Sequence, residues 1–189
     1  ILYRANRTAQ RAQEEQSVIA ENAANQDAMI VVNRADGSSD LWDGLDLRKR
    51  IDFALTGLDL CLSPEQIEQE LRRAFFNEMT ESDLKKTVIL NAKSLIEKDG
   101  DFAKFAGRIL LTYIYEEVLE WDIVRDGVAQ LDEFHRRAFK ANLVRGIALA
   151  RIAPRLLDYQ LDVLADAISP TADLDFVYLG IQTLYDRFL

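Results

Sequence analysis

The chain has very little of several things, and each shortage removes a class of function. There is one cysteine, Cys61, in 189 residues. An intrachain disulfide is therefore impossible, and a reducing, cytoplasmic setting is the expectation. There is also one histidine, His135. No HxxxH, CxxC or EF-hand spacing occurs, so no metal site is proposed and no catalytic residue is assigned. Basic residues are outnumbered, with 23 Lys and Arg against 32 Asp and Glu and a formal net charge of −9. That balance argues against a nucleic-acid partner, whose phosphates need a basic face. No apolar run approaches the ~18 residues of a membrane span, and ILYRANRTAQR lacks the pattern of a signal peptide. The first residue is Ile, which suggests a processed chain or a piece of something longer.

What is present is helical periodicity. Residues 1 to 20 favour helix by propensity but have a thin apolar stripe, and the Asn- and Ala-rich 21 to 28 reads as a linker. Met29-Ile30-Val31-Val32 favours strand, Asp36-Gly37 is a hairpin turn pair, and Leu41-Trp42 offers the return strand. Leu47, Ile51, Ala54, Leu55 and Leu58 form the stripe of an amphipathic helix, with Gly57 near its end. Ser63-Pro64-Glu65-Gln66 is a capping-box start and Thr80-Glu81-Ser82-Asp83 a similar one. They are followed by stripes through Ile67, Leu71 and Phe75, and through Leu84, Val88, Ala92, Leu95 and Ile96. A further helix begins near Asp101 and continues through TYIYEEVLEW. Beyond it come helices marked by Leu131, Phe134, Ala138 and Leu143, by Leu156 to Ala167, and by Phe176 to Phe188. The expected fold is mainly α: a small β-hairpin on a four-helix unit over residues 29–120, then an all-α helical domain over 121–189.

Isolated chemistry is weak. His135 in DEFHRRAF reads as a solvated helix residue with no triad partners, Cys61 as a small buried structural residue, and the carboxylates of YEEVLEWD as a wet helix face. The segment DFVYLGIQTLYDRFL carries apolar groups around most of a helix circumference. It is either a core helix or one that packs on a part of the protein outside this chain.

The turn VNRADGSS with the helices after it resembles an ATP-cone, whose hairpin reads Val-x-Lys-Arg-Asp-Gly. FAGRILLTYIYEEVL, and more narrowly YLGIQTLYDRFL, resemble the amino-terminal region of the class I ribonucleotide reductase large subunit. ILYRANRTAQRAQ resembles the closing helix of an upstream ATP-cone. The resemblance implies a deoxyribonucleotide-producing parent with ATP or dATP as effectors and a radical-generating small subunit. The partners it implies are the parent's own catalytic barrel, the upstream cone and a second large subunit. The family's nucleotide-contacting pair would fall on Arg34 and Ala35, its helix lysines on Asp46 and Glu116, and a histidine of some cones on Lys85. Two attractive charges are thus replaced by repulsive ones, and no bound nucleotide is expected. Val32, Arg34 and Lys85 are the candidates left in a degenerate pocket. Two other readings stay open: a free-standing nucleotide-sensing module and a plain helical interaction domain.

Overall fold

The computed structural model describes residues 29–188. The expected helix over 1 to 20, the linker over 21 to 28 and the boundary near Asp27 lie outside the described residues. Strand β1 (Ile30–Asn33) pairs antiparallel with β2 (Ser39–Trp42), Ile30 opposite Trp42 and Asn33 opposite Ser39. Gly37 takes φ +85 in the turn between them, a left-handed conformation that costs glycine nothing. The expected hairpin gains a third strand, β3 (Met79–Thr80), parallel to β1 on its other edge. Val31 holds it in place: its N–H donates to Asn77 Oδ1 at 2.9 Å, and its carbonyl accepts from Glu78 N–H at 2.9 Å.

Helix α1 (Leu45–Leu55) buries Leu47, Ile51 and Ala54, and Gly57 follows its end at φ +67. Helix α2 (Pro64–Arg72) begins with the expected reciprocal box, Ser63 Oγ accepting from Gln66 N–H at 3.3 Å and Gln66 Oε1 accepting from Ser63 N–H at 2.9 Å. Helix α3 (Glu81–Ser94) is capped by Thr80, whose Oγ1 accepts from Asp83 N–H, and it tightens into a 3₁₀ turn over Leu95–Glu97. Helix α4 (Phe102–Leu119) is the axis of the molecule. An unbroken run from Phe105 to Tyr115 is buried, so this helix is enclosed rather than laid on a surface. It stops at Glu120, in left-handed backbone at φ 56, short of the Trp121 to which the sequence pattern extended it.

Helix α5 (Leu131–Ala148) buries Leu131, Phe134, Ala138 and Leu143 as its periodicity requires. The helix expected over Leu156 to Ala167 is shorter. Pro154 opens a 3₁₀ turn over Pro154–Asp158, Tyr159 is extended, and only α6 (Leu161–Asp166) is α-helical. Helix α7 (Tyr178–Phe188) starts two residues after the extended Phe176. It returns onto α4, so one core cluster runs from Leu47 through Phe105 and Trp121 to Ile181.

Two devices hold that return. A Cβ on Gly107 would lie 2.9 Å from the Phe176 carbonyl and 3.0 Å from Tyr178 N, so only glycine lets the chain cross α4 this closely. Next to it, the buried Arg108 donates from Nη1 to the carbonyls of Ala54 at 3.0 Å and Thr56 at 2.6 Å, and from Nε to that of Leu174 at 2.9 Å. The charge sits on the unsatisfied carbonyls at the end of α1 and ties that helix to the segment before α7.

His135 is not the solvated residue its neighbours suggest. It is half-buried, its ring stands edge-on to Tyr115 at 4.9 Å between centroids, and its buried Nε2 has no hydrogen-bond partner. Burial pushes its pKa below the ordinary value, against the pull of Asp173 and Asp132. The folded state then binds the proton less readily than the unfolded chain. The stability His135 contributes is present above about pH 6.5 and is lost as the pH falls through its depressed folded value. A His135→Gln variant should therefore lose less of its urea midpoint between pH 7.5 and pH 5 than the parent chain, and equal losses in the two proteins would refute the assignment.

Candidate functional site

The turn that resembles a nucleotide-binding hairpin satisfies its own polar groups. Asp36 Oδ1 accepts from Ser38 N–H at 2.9 Å and from Ser38 Oγ at 2.6 Å, and Ser39 Oγ donates to Asn33 Oδ1 at 2.7 Å. Those bonds hold the Asp36 carboxyl below its usual range. Arg34 is exposed and turns to Asp40 across the hairpin, 2.7 Å away. Val32 faces inward, 7% exposed, in a small apolar cluster with Met79 and Leu84. Lys85 on α3 lies apart from both, its ammonium 5.3 Å from the centroid of the Tyr113 ring. The three pocket candidates thus occupy three different surroundings.

Asp46 and Glu116, by contrast, are brought together, and by a residue that the sequence pattern did not single out. Arg50, on α1, has its side chain 5% exposed. Its Nη1 donates to Thr112 Oγ1 at 2.9 Å, its Nη2 to the Glu116 carboxylate, and its Nε lies 3.8 Å from Asp46 Oδ2. The guanidinium plane covers the Tyr113 ring, 4.0 Å from its centroid. Asp46 also accepts from the Trp42 indole N–H at 2.7 Å. The two carboxylates therefore do not stand free against an incoming phosphate: they are the counter-ions of an internal cation. The signal was legible, since Asp46 and Arg50 stand four apart on one helix face, where an ion pair is expected.

The electrostatics follow from burial. Desolvation works against the Arg50 charge, but the Tyr113, Glu116 and Asp46 groups around it outweigh that, and its pKa rises. Burial pushes the Glu116 carboxyl up, against the opposing pull of Arg50. The Tyr113 hydroxyl is raised by burial as well and has no hydrogen-bond partner. Glu116 thereby departs from the wet helix face read for YEEVLEWD. Cys61 departs from its reading in the other direction, because it is exposed, in the loop between α1 and α2. Among the described residues no cluster of potential ligands could hold a metal ion, and no helix is long and apolar enough to cross a membrane.

No family model matches the chain. Curated relatives do. It is 30% identical over 188 residues to the ribonucleoside-diphosphate reductase subunit alpha of Chlamydia pneumoniae, covering 100% of this chain and 18% of that protein. It is also 30% identical over 189 residues to the same subunit of Chlamydia muridarum, with the same coverage. The subunit of Helicobacter pylori (strain ATCC 700392 / 26695) is 28% identical over 163 residues, covering 85% of this chain and 19% of the relative.

The energetic weight of Arg50 can be measured. Removing one member of a buried ion cluster leaves the others desolvated and unpaired, at a typical cost of about 3–5 kcal/mol. Glu116 keeps 32% of its side-chain exposure, which puts Arg50→Met at the lower end, about 3 kcal/mol. Arg50→Met combined with Glu116→Leu should recover a large part of that loss in urea denaturation. Additive losses would show that the two side chains do not act together.

Proposed function

We propose that the chain belongs with the ribonucleoside-diphosphate reductase alpha subunits, spanning about 18% of the length of the first relatives matched, and that it forms their amino-terminal structural region. On this reading the parent reduces ribonucleoside diphosphates in the cytoplasm, with a radical-generating small subunit and a second large subunit. Residues 1–20 close an upstream ATP-cone, 21–28 link it onward, and 29–120 form a second, cone-like unit. Residues 121–189 form the helical domain that meets the catalytic barrel. Catalysis, and the thiols it needs, belong to the barrel.

The observation that carries this reading is the uneven distribution of exposed apolar side chains. Among the described residues, fourteen of the nineteen large ones lie after residue 120. On α7, Tyr178 and Ile181 pack inward while Leu179 is 73% and Leu184 37% exposed. Contiguous apolar surface of several hundred Å² on a monomer tends to mark an interface. With more than four-fifths of the relatives' length outside this chain, the parent's own barrel is the natural cover. The two sides of DFVYLGIQTLYDRFL then have two partners, α4 within and the barrel without.

The cone-like unit is read as one that keeps the fold and has lost the ligand, because Asp46 and Glu116 are engaged by Arg50 and Arg34 by Asp40. Calorimetry with ATP and with dATP should detect no site in this chain tighter than roughly millimolar, about −4 kcal/mol. Saturable micromolar binding would overturn the reading of the unit. For the helical domain the measurement is light scattering. The chain should self-associate at modest concentration, and Leu179→Gln with Leu184→Gln should reduce association while helix content holds. A monodisperse monomer at high concentration would leave the barrel-facing assignment without support.

A further inference from the structure

The three-stranded sheet is attached to the helical body by little apolar area. Its inward side chains, Val32 and Met79, belong with Leu84 to a small cluster separate from the main core. Trp42 and Phe75 touch both clusters, their rings edge to face at 5.4 Å. The position of the sheet on the helices thus depends on Trp42, the last residue of β2.

Trp42 is held by this packing, by the Arg72 guanidinium 4.9 Å from its ring centroid, and by a polar contact to α1. Its indole N–H donates to Asp46 Oδ1 at 2.7 Å, and Asp46 Oδ2 faces Arg50 Nε at 3.8 Å. Arg50 in turn is fixed on α4 by Thr112, Glu116 and the Tyr113 ring. A continuous chain therefore runs from β2 through α1 to the enclosed axis of the molecule. Two of its links are charge-assisted hydrogen bonds, Trp42 to Asp46 and Arg50 to Glu116, while the Asp46–Arg50 contact between them is an ion pair at 3.8 Å and not a hydrogen bond. Tyr113 also lies under Lys85 of α3, so its ring is shared by cations from α1 and α3.

We propose that the Trp42–Asp46–Arg50 chain is a latch that locks the sheet against the helical body, with Arg50 acting as a built-in ligand that fixes the unit in one arrangement. A bound molecule is not required to organise the unit. This deepens the ligand-free reading above, but its readout uses no nucleotide, so its failure would leave that reading where it stands.

Two variants each cut one link and leave Arg50 on Glu116 and Thr112. Asp46→Ala removes the middle of the chain and leaves the Trp42 ring on Phe75, and Trp42→Phe removes the indole donor together with one ring of its packing. Hydrogen exchange in each should accelerate at least tenfold at amides in 31–33, 40–42 and 78–80, while amides in 109–115 of α4 keep their rates. Acrylamide quenching gives a second readout for Asp46→Ala. Of the chain's two tryptophans, Trp121 is 1% exposed, so a gain in quenching reports the release of Trp42. Unchanged exchange in the sheet, or equal acceleration in sheet and α4, would overturn the latch, the second because it marks a general loss of stability.

Discussion

A helix that is apolar on every side has to be enclosed, and α4 imposes that constraint on the whole chain. From Phe105 to Tyr115 it offers no face to water, so neighbours must come from all directions. α1 and α3 cover one part of it, and α7 returns from far along the sequence to cover another. Burying its Phe, Ile, Leu and Tyr side chains supplies about 1.5–3 kcal/mol each before conformational entropy is charged against it. Everything polar in the interior is arranged around this helix. Thr112 turns its hydroxyl hydrogen to the Ile109 carbonyl at 2.7 Å, Tyr115 donates to Asp173 at 2.8 Å, and Arg108 serves three carbonyls.

Among the described residues two arginines, Arg50 and Arg108, are the buried charges, and they are satisfied in different ways. Arg108 receives carbonyl dipoles, whose demand is fixed by the end of α1 and by the chain before α7. Arg50 receives carboxylates and an aromatic face, a setting in which each partner is harder to remove once the other is present. Buried ion clusters of this kind are weak sources of net stability, because desolvation consumes much of the Coulombic gain. Rearranging the cluster would strand a charge, which ties Arg50 to this one arrangement.

The helices were legible in the sequence because their stripes, caps and stop signals agreed. Ser63-Pro64-Glu65-Gln66 formed its box, and the positions expected to be buried around Leu131 and Phe134 are buried. The third strand was not legible, since Met79 and Thr80 carry no strand pattern of their own and pair only because Asn77 and Glu78 dock on Val31. His135 departs from its reading because its charged sequence neighbours are not its spatial one, the Tyr115 ring, and Cys61 because the loop that carries it stays at the surface. The site was half legible. The spacing of Asp46 and Arg50, four apart on one helix face, carried a signal for their pairing, whereas nothing local announced that Glu116, far along the chain, would meet the same arginine.

The crossing at Gly107 has a mechanical consequence. An 18-residue helix is a rod of about 27 Å, and α4 is held near its middle at two neighbouring turns. One turn, at Gly107 and Arg108, is gripped by the backbone leading into α7, while the next, at Thr112 to Glu116, is gripped by Arg50 from the side of the sheet. The grips are so close along the rod that little bending compliance lies between them. A further bond, from the Tyr185 hydroxyl to Glu117 Oε2 at 2.7 Å, ties α7 to the same helix beyond the second grip, so that α1 and α7 share one rigid support.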